Sequence, residues 1–158
     1  MPEGSLIRDE LKKLIGMPWE PQIFRVEEGA IKRYAEAIDD PNPLYNDVEY
    51  ARKSKYGRLI CPPGFTGWPD KKAKMLGIQV SEVLIAAGAP PRPVDGGVEF
   101  EFLIPIGAGD ILTETTKIID LTERETKSGK ALFAQVEYTF VNQNKDTAVR
   151  CVATYIYR

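Results

Sequence analysis

The sequence predicts an α+β domain, and three observations predict it. Amphipathic helical stretches gather in the first half of the chain. Long runs of alternating apolar and polar residues fill the last third. Short Gly-, Asn- and Lys-rich turns separate those runs, as antiparallel hairpins require.

The elements follow in order. Ser5 can cap a short helix whose face carries Ile7, Leu11, Leu14 and Ile15, and Gly16 stops it. PQIFRV (21–26) reads as a strand. EEGAIKRYAEAID (27–39) is a second helix, with Ile31, Tyr34, Ala35 and Ile38 on one stripe and glutamates suited to its N-terminal dipole. The prolines of DPNP then break the chain. DVEYARKSKYG (47–57) forms a short helix ending at Gly57, and RLICPP is an extended run. GFTGWPDKKAKMLGI (64–78) is a helical candidate interrupted by Gly67 and Pro69, and GAPPRPVDGG (88–97) is a loop. Val98, Phe100, Phe102 and Ile104 then alternate with Glu99 and Glu101. DILTETTKIIDLTE, KALFAQVEYTFVNQ and TAVRCVATYIYR supply three more strands, joined by the turns TKSGK and NQNKD.

Composition narrows the function. A chain of 158 residues with 43% hydrophobic and 28% charged residues suits one soluble domain with a sizeable core. A net charge of −2 without a basic block argues against nucleic acid as the main partner. The charged N-terminus and the lack of a membrane-length apolar run lead us to expect a cytoplasmic protein. Cys61 and Cys151 stand far apart in apolar surroundings, as free thiols rather than a disulfide.

The chain contains no histidine. That removes Ser-His-Asp and Cys-His nucleophiles and the usual zinc sites, so no metal or cofactor is expected. Acid–base chemistry must come from carboxylates, tyrosines, lysines or a partner chain.

Two segments carry a family resemblance. IKRYAEAIDDPNPLYNDVEYARKSKYGRLICPPGF resembles the N-terminal half of MaoC-type dehydratases, the (R)-specific enoyl-CoA hydratase group. GGVEFEFLIPIGAGDILT is similar to their later strand and turn, with Gly109–Asp110 as its "GD". The resemblance covers roughly residues 18–158, leaving 1–17 as an N-terminal helical extension. It implies a single hotdog domain, an antiparallel sheet wrapped around a central helix, placed here near 64–78. It also implies side-by-side pairing of two hotdogs, as a homodimer or a heterodimer, with an acyl-CoA or acyl-ACP thioester bound near the seam.

Active members carry a G-D-x-N-P-L-H-x-D pattern. On this chain it puts Asp39 at the glycine, Asp40 at the catalytic aspartate and Tyr45 at the catalytic histidine. Hydration of an enoyl thioester needs a water held over the β-carbon and a proton delivered at the α-carbon, which a carboxylate and an imidazole on one stiff loop provide. Tyrosine, with an ordinary pKa of about 10, is a negligible base at neutral pH. The chain therefore resembles the non-catalytic subunits of two-chain (3R)-hydroxyacyl-ACP dehydratases, the mycobacterial one among them, and the N-terminal half of double-hotdog hydratases. In those proteins one half shapes the acyl pocket and a partner bearing the histidine does the chemistry.

Each candidate residue also has a plain structural reading. Asp40 either holds water or stops a helix, Asn42 either binds substrate or turns the chain, and Tyr45 either lines the pocket or packs. Asp47 either caps the next helix or takes part in the chemistry. Pro62–Pro63–Gly64 either expose N–H groups to the thioester at the start of the central helix or form a stiff turn. Phe65 and Trp68 read as pocket wall or core. Lys71, Lys72 and Lys74 either meet a phosphate of CoA or the carrier group, or form a solvated face. Three other functions stay open: an autonomous hydratase using Asp40, a hotdog acyl-CoA thioesterase using Asp70 on the central helix, and a non-enzymatic acyl-thioester-binding module.

Overall fold

The computed structural model describes residues 4–70 and 75–158. Six strands form one antiparallel sheet in the order β2–β1–β4–β5–β6–β3. They are β1 (Gln22–Arg25), β2 (Trp68–Pro69), β3 (Pro93–Phe102), β4 (Ile111–Thr126), β5 (Gly129–Val141) and β6 (Thr147–Tyr157). The helices are α1 (Asp9–Lys12), α2 (Glu28–Ala37), α3 (Pro43–Asn46), α4 (Val48–Lys53) and α5 (Leu76–Ala86).

Period-two alternation puts Leu112, Glu114, Thr116 and Ile118 of β4 on the inner face, opposite Phe140, Tyr138 and Val136 of β5. Val149, Cys151 and Ala153 of β6 continue that face. Val80 and Leu84 of α5 are buried in the same cluster. This is the hotdog arrangement that the resemblance implies, a curled sheet around a central helix.

Several expectations are corrected. The central helix spans Leu76–Ala86, not 64–78; Gly64 and Gly67 take positive φ values of 92° and 86°, which no helix accommodates. Beyond geometry, a Cβ at Gly67 would lie 2.6 Å from the Arg25 carbonyl oxygen, so only glycine allows the chain to reach β2. Residues 93–97 belong to β3 rather than to a loop: Pro93 is tolerated on an edge strand, and the register shift between Asp95 and Gly97 is a bulge.

The N-terminal helix is shorter than expected. Arg8, not Ser5, precedes α1, while Ser5 Oγ accepts from Ile7 N and donates to Glu123. Leu11 is buried, and Gly16 N donates to Ile118 O at 2.8 Å.

Edge strand β3 is exposed along all ten residues. Its Val98, Phe100 and Phe102 stand opposite Ala153, Cys151 and Val149, so they prolong the apolar inner face past the region that this chain covers. Phe100 and Phe102 stack at 5.5 Å.

Candidate functional site

The site grows from the end of α2. Asp39 N donates to Glu36 O at 3.1 Å and Asp40 N to Ala35 O at 2.9 Å, the paired bonds of a Schellman cap. Asp39 holds the left-handed position, φ 53°, where glycine is favoured. It is the residue that stands at the family motif's glycine.

The polar side chains that follow bind backbone. Asp40 Oδ1 accepts from Asn42 N at 3.0 Å, and Asn42 Oδ1 accepts from Leu44 N at 3.0 Å, capping α3 with Pro43 as its first residue. Asn46 Nδ2 donates to the carbonyls of both Asp40 and Asn42. Asp47 caps α4 through Tyr50 N, as expected. These bonds explain why two prolines and four Asx side chains occur together: they fix a loop that has no sheet to lean on.

Asp40 opens onto a shallow groove shared with Lys32, Glu36 and Asn46. Tyr45 is buried and turns the other way, into an apolar hollow of about 230 Å³ with Cys61, Pro62, Pro63, Phe65 and Phe102. Burial raises the Tyr45 phenol above its ordinary pKa. The nearby Asp40 charge pushes the same way, against a hydrogen bond with the Asn42 side chain. At neutral pH it is a neutral phenol, a donor and not a base.

A second hollow of about 240 Å³ holds Gly64, Phe65 and Trp68 with Phe24, Tyr34 and Leu76. Phe65 is the wall between the two, stacked on Tyr34 at 4.8 Å and edge-on to Trp68 at 5.9 Å. The structure thus joins Tyr45 with Pro63 and Phe65, and Gly64 with Phe65 and Trp68. It leaves Asp40 outside both hollows.

Two other expectations change. Pro62–Gly64 is a turn closed by Phe65 N donating to Pro62 O, and α5 begins twelve residues beyond Gly64, so these N–H groups do not lie at the central helix start. Asp70 is not on the central helix; it follows β2 and pairs with Arg25 at 2.8 Å, which leaves the thioesterase reading without its helical carboxylate. Lys71, Lys72 and Lys74 lie outside the described residues. Cys61 and Cys151 are free thiols, and burial pushes them up to about 12 and about 11.

The wall of the Tyr45 hollow is held by a residue that sequence reasoning missed. Arg58 donates to both oxygens of buried Asp110 and to the Ala108 carbonyl. Asp110 also accepts from Gly107 N and Gln143 Nε2. Burial pushes the Asp110 carboxyl up, but Arg58, Gly107 N and Gln143 outweigh it and leave its pKa below the ordinary value. Beside this pair, Cys61 N donates to Ile106 O and Ala108 N to Leu59 O, so the segment 59–61 is strapped to 106–108.

A broad groove of about 710 Å³ runs between α5 and the β3 edge, lined by Met75, Ile78, Ile85 and Pro93 together with Asp95 and Tyr155. Among the described residues there is no cluster of metal-binding side chains, and no helix is long and apolar enough to cross a membrane.

Known proteins share this sequence and shape. A family model described as "FAS1-like, dehydratase domain region" matches residues 13–150. A UPF0336 protein of Thermobifida fusca is 32% identical over 117 residues, 74% of this chain and 73% of its own length. The MaoC-like dehydratase from Rhodospirillum rubrum superposes with a TM-score of 0.63 at 25% identity, covering 93% of this chain and 94% of that one. A chain of the HadBC (3R-hydroxyacyl-ACP dehydratase) complex from Mycobacterium tuberculosis gives a TM-score of 0.68 at 21% identity, covering 90% and 96%, a likeness of fold.

Proposed function

The chain belongs to the FAS1-like dehydratase-domain family, among the MaoC-like hotdog proteins, and on that premise we propose that it is the acyl-binding half of an (R)-specific 2-enoyl-thioester hydratase, or 3-hydroxyacyl-thioester dehydratase. The histidine-bearing half is a partner chain. One observation carries the reading: the motif's histidine position holds a buried neutral phenol, in a chain without any histidine. Asp40, the motif's aspartate, uses one oxygen on its own loop.

What remains on this chain is suited to binding. Phe65, Trp68, Pro63 and Gly64 line apolar hollows that fit an acyl chain or the pantetheine arm of an acyl thioester. The bare β3 edge and the groove along α5 fit a second hotdog, which would add a strand to the sheet and cover Val98, Phe100 and Phe102.

The test is enoyl-thioester hydration followed by loss of the conjugated absorbance, with the purified chain alone and after coexpression with a histidine-bearing MaoC-like subunit. The reading expects no turnover alone and turnover in the complex. Turnover by the chain alone, lost in Asp40→Asn, makes it an autonomous enzyme instead.

A further inference from the structure

Beneath α5 lies a buried polar chain that the proposed chemistry does not use. Thr116 Oγ1 donates to Glu114 Oε1 at 2.6 Å, and Gln22 Nε2 donates to Gln79 Oε1 of α5 at 2.6 Å. Glu114 is fully buried and Gln22 nearly so. Their remaining oxygens, Glu114 Oε2 and Gln22 Oε1, are both buried and have no hydrogen-bond partner among the described residues. The two residues are direct cross-strand partners of β4 and β1, so their side chains leave the sheet side by side on one face.

Two orphaned acceptors side by side are costly unless one of them carries a hydrogen. We propose that Glu114 is a neutral carboxylic acid in the folded protein, and that its Oε2–H donates to Gln22 Oε1. That proton completes a chain running in one direction, Thr116 to Glu114 to Gln22 to Gln79. It ties the third and second strands of the sheet to the central helix. Glu114 is thereby a positioning residue for α5, whose first turn borders the Phe65–Trp68 hollow.

The surroundings support a neutral acid. Facing Glu114 are Tyr138 of β5 and Cys151 of β6, with Tyr155 hydrogen-bonded to Tyr138 at 2.8 Å. The inner face of β1 contributes Gln22 and Phe24, and the charged residue of α5, Glu82, lines the outer groove. Among the described residues no lysine or arginine faces Glu114 from these elements. With both amides turned end for end, an ionised Glu114 would accept from Gln22 Nε2 and Thr116 Oγ1, but its charge would be buried with no cation beside it. Burial pushes the Glu114 carboxyl up to about 7, against the Thr116 bond.

The sign follows from linkage. A folded pKa above the unfolded one gives stability that is complete below about 4.5 and is lost as pH rises through about 7. Glu114→Gln keeps the shape, and its amide can donate to Gln22 and accept from Thr116 at every pH.

The test combines infrared spectroscopy with unfolding of the full chain. Near pH 6, wild type should show a protonated-acid carbonyl band that Glu114→Gln lacks. Between about pH 4.5 and 7 the unfolding constant of wild type should rise relative to that of Glu114→Gln by up to tenfold per pH unit. In Gln22→Met, with the acceptor gone, the acid band should persist but move to higher wavenumber. An ionised Glu114 at pH 6, parallel pH profiles for wild type and Glu114→Gln, or an acid band unmoved in Gln22→Met each overturns the proposal.

Discussion

Arg58 and Asp110 meet through two parallel hydrogen bonds, at 2.8 and 2.9 Å, across 52 residues of chain. Asp110 is 3% exposed while the Arg58 side chain is 40% exposed, so the pair is an anchored carboxylate under a half-solvated guanidinium. Removing the arginine strands a buried charge. We expect Arg58→Ala to lower stability by on the order of 2–3 kcal/mol, below the figure for a fully buried pair because solvent reaches the site. Denaturant unfolding at pH 7 measures it. Asp110 titrates below its ordinary range, so its share of stability is present above about pH 4 and disappears as pH falls through the lower folded value. The gap between wild type and Asp110→Asn should therefore shrink in acid.

Asp39 occupies a backbone conformation that costs an L-residue roughly 1–2 kcal/mol, and its φ is 53°. Asp39→Gly relieves that cost while giving up some unfolded-state restriction. The expected outcome is a gain of about 0.5–1 kcal/mol, seen as a higher Tm with no change in the fold.

The two pocket aromatics should separate binding from stability. Trp68 is 56% exposed and Phe65 5%. Trp68→Ala should weaken acyl-thioester binding about tenfold while stability moves by less than about 1 kcal/mol. Phe65→Ala should weaken binding and also cost about 3–5 kcal/mol, because it empties the wall between two hollows. Ligand titration beside thermal melts distinguishes them.

Tyr45→Phe tests what the phenol does. If Tyr45 only packs, its ring is kept by phenylalanine, stability moves by less than about 1 kcal/mol, and the turnover of the reconstituted complex is unchanged. A proton carrier at this position would instead lose about 10²–10⁴ in rate.

Much of the architecture was legible because burial leaves a period in the sequence. The alternation of β4, β5 and β6 and the stripe of α2 are consequences of one-sided packing. The central helix was not legible for the converse reason. LGIQVSEVLIA carries apolar residues on the face that lines the open groove as well as on the one that packs, with a glycine in its first turn, so no single stripe marks it as a helix. β3 opens with proline and glycines that read as loop; only the sheet edge makes them acceptable in a strand.

The candidate site divides in the same way. The loop from Asp39 to Asp47 was readable because its bonds are local, each side chain reaching a backbone group a few residues away. Arg58, the Phe65 wall and the Gln22–Glu114 pairing depend on contacts far apart in sequence, for which spacing carries no signal.

The bare β3 edge has a consequence for how the chain behaves on its own. Ten exposed residues carrying Val98, Phe100 and Phe102 are a template onto which any extended segment can crystallise. Pro93, the bulge near Gly96 and the outward glutamates shorten the usable part of that template without abolishing it. An unpaired apolar edge of this kind favours self-association, so the chain purified alone should aggregate with rising concentration more than a β3 variant with Phe100 and Phe102 replaced by lysine, as light scattering would measure.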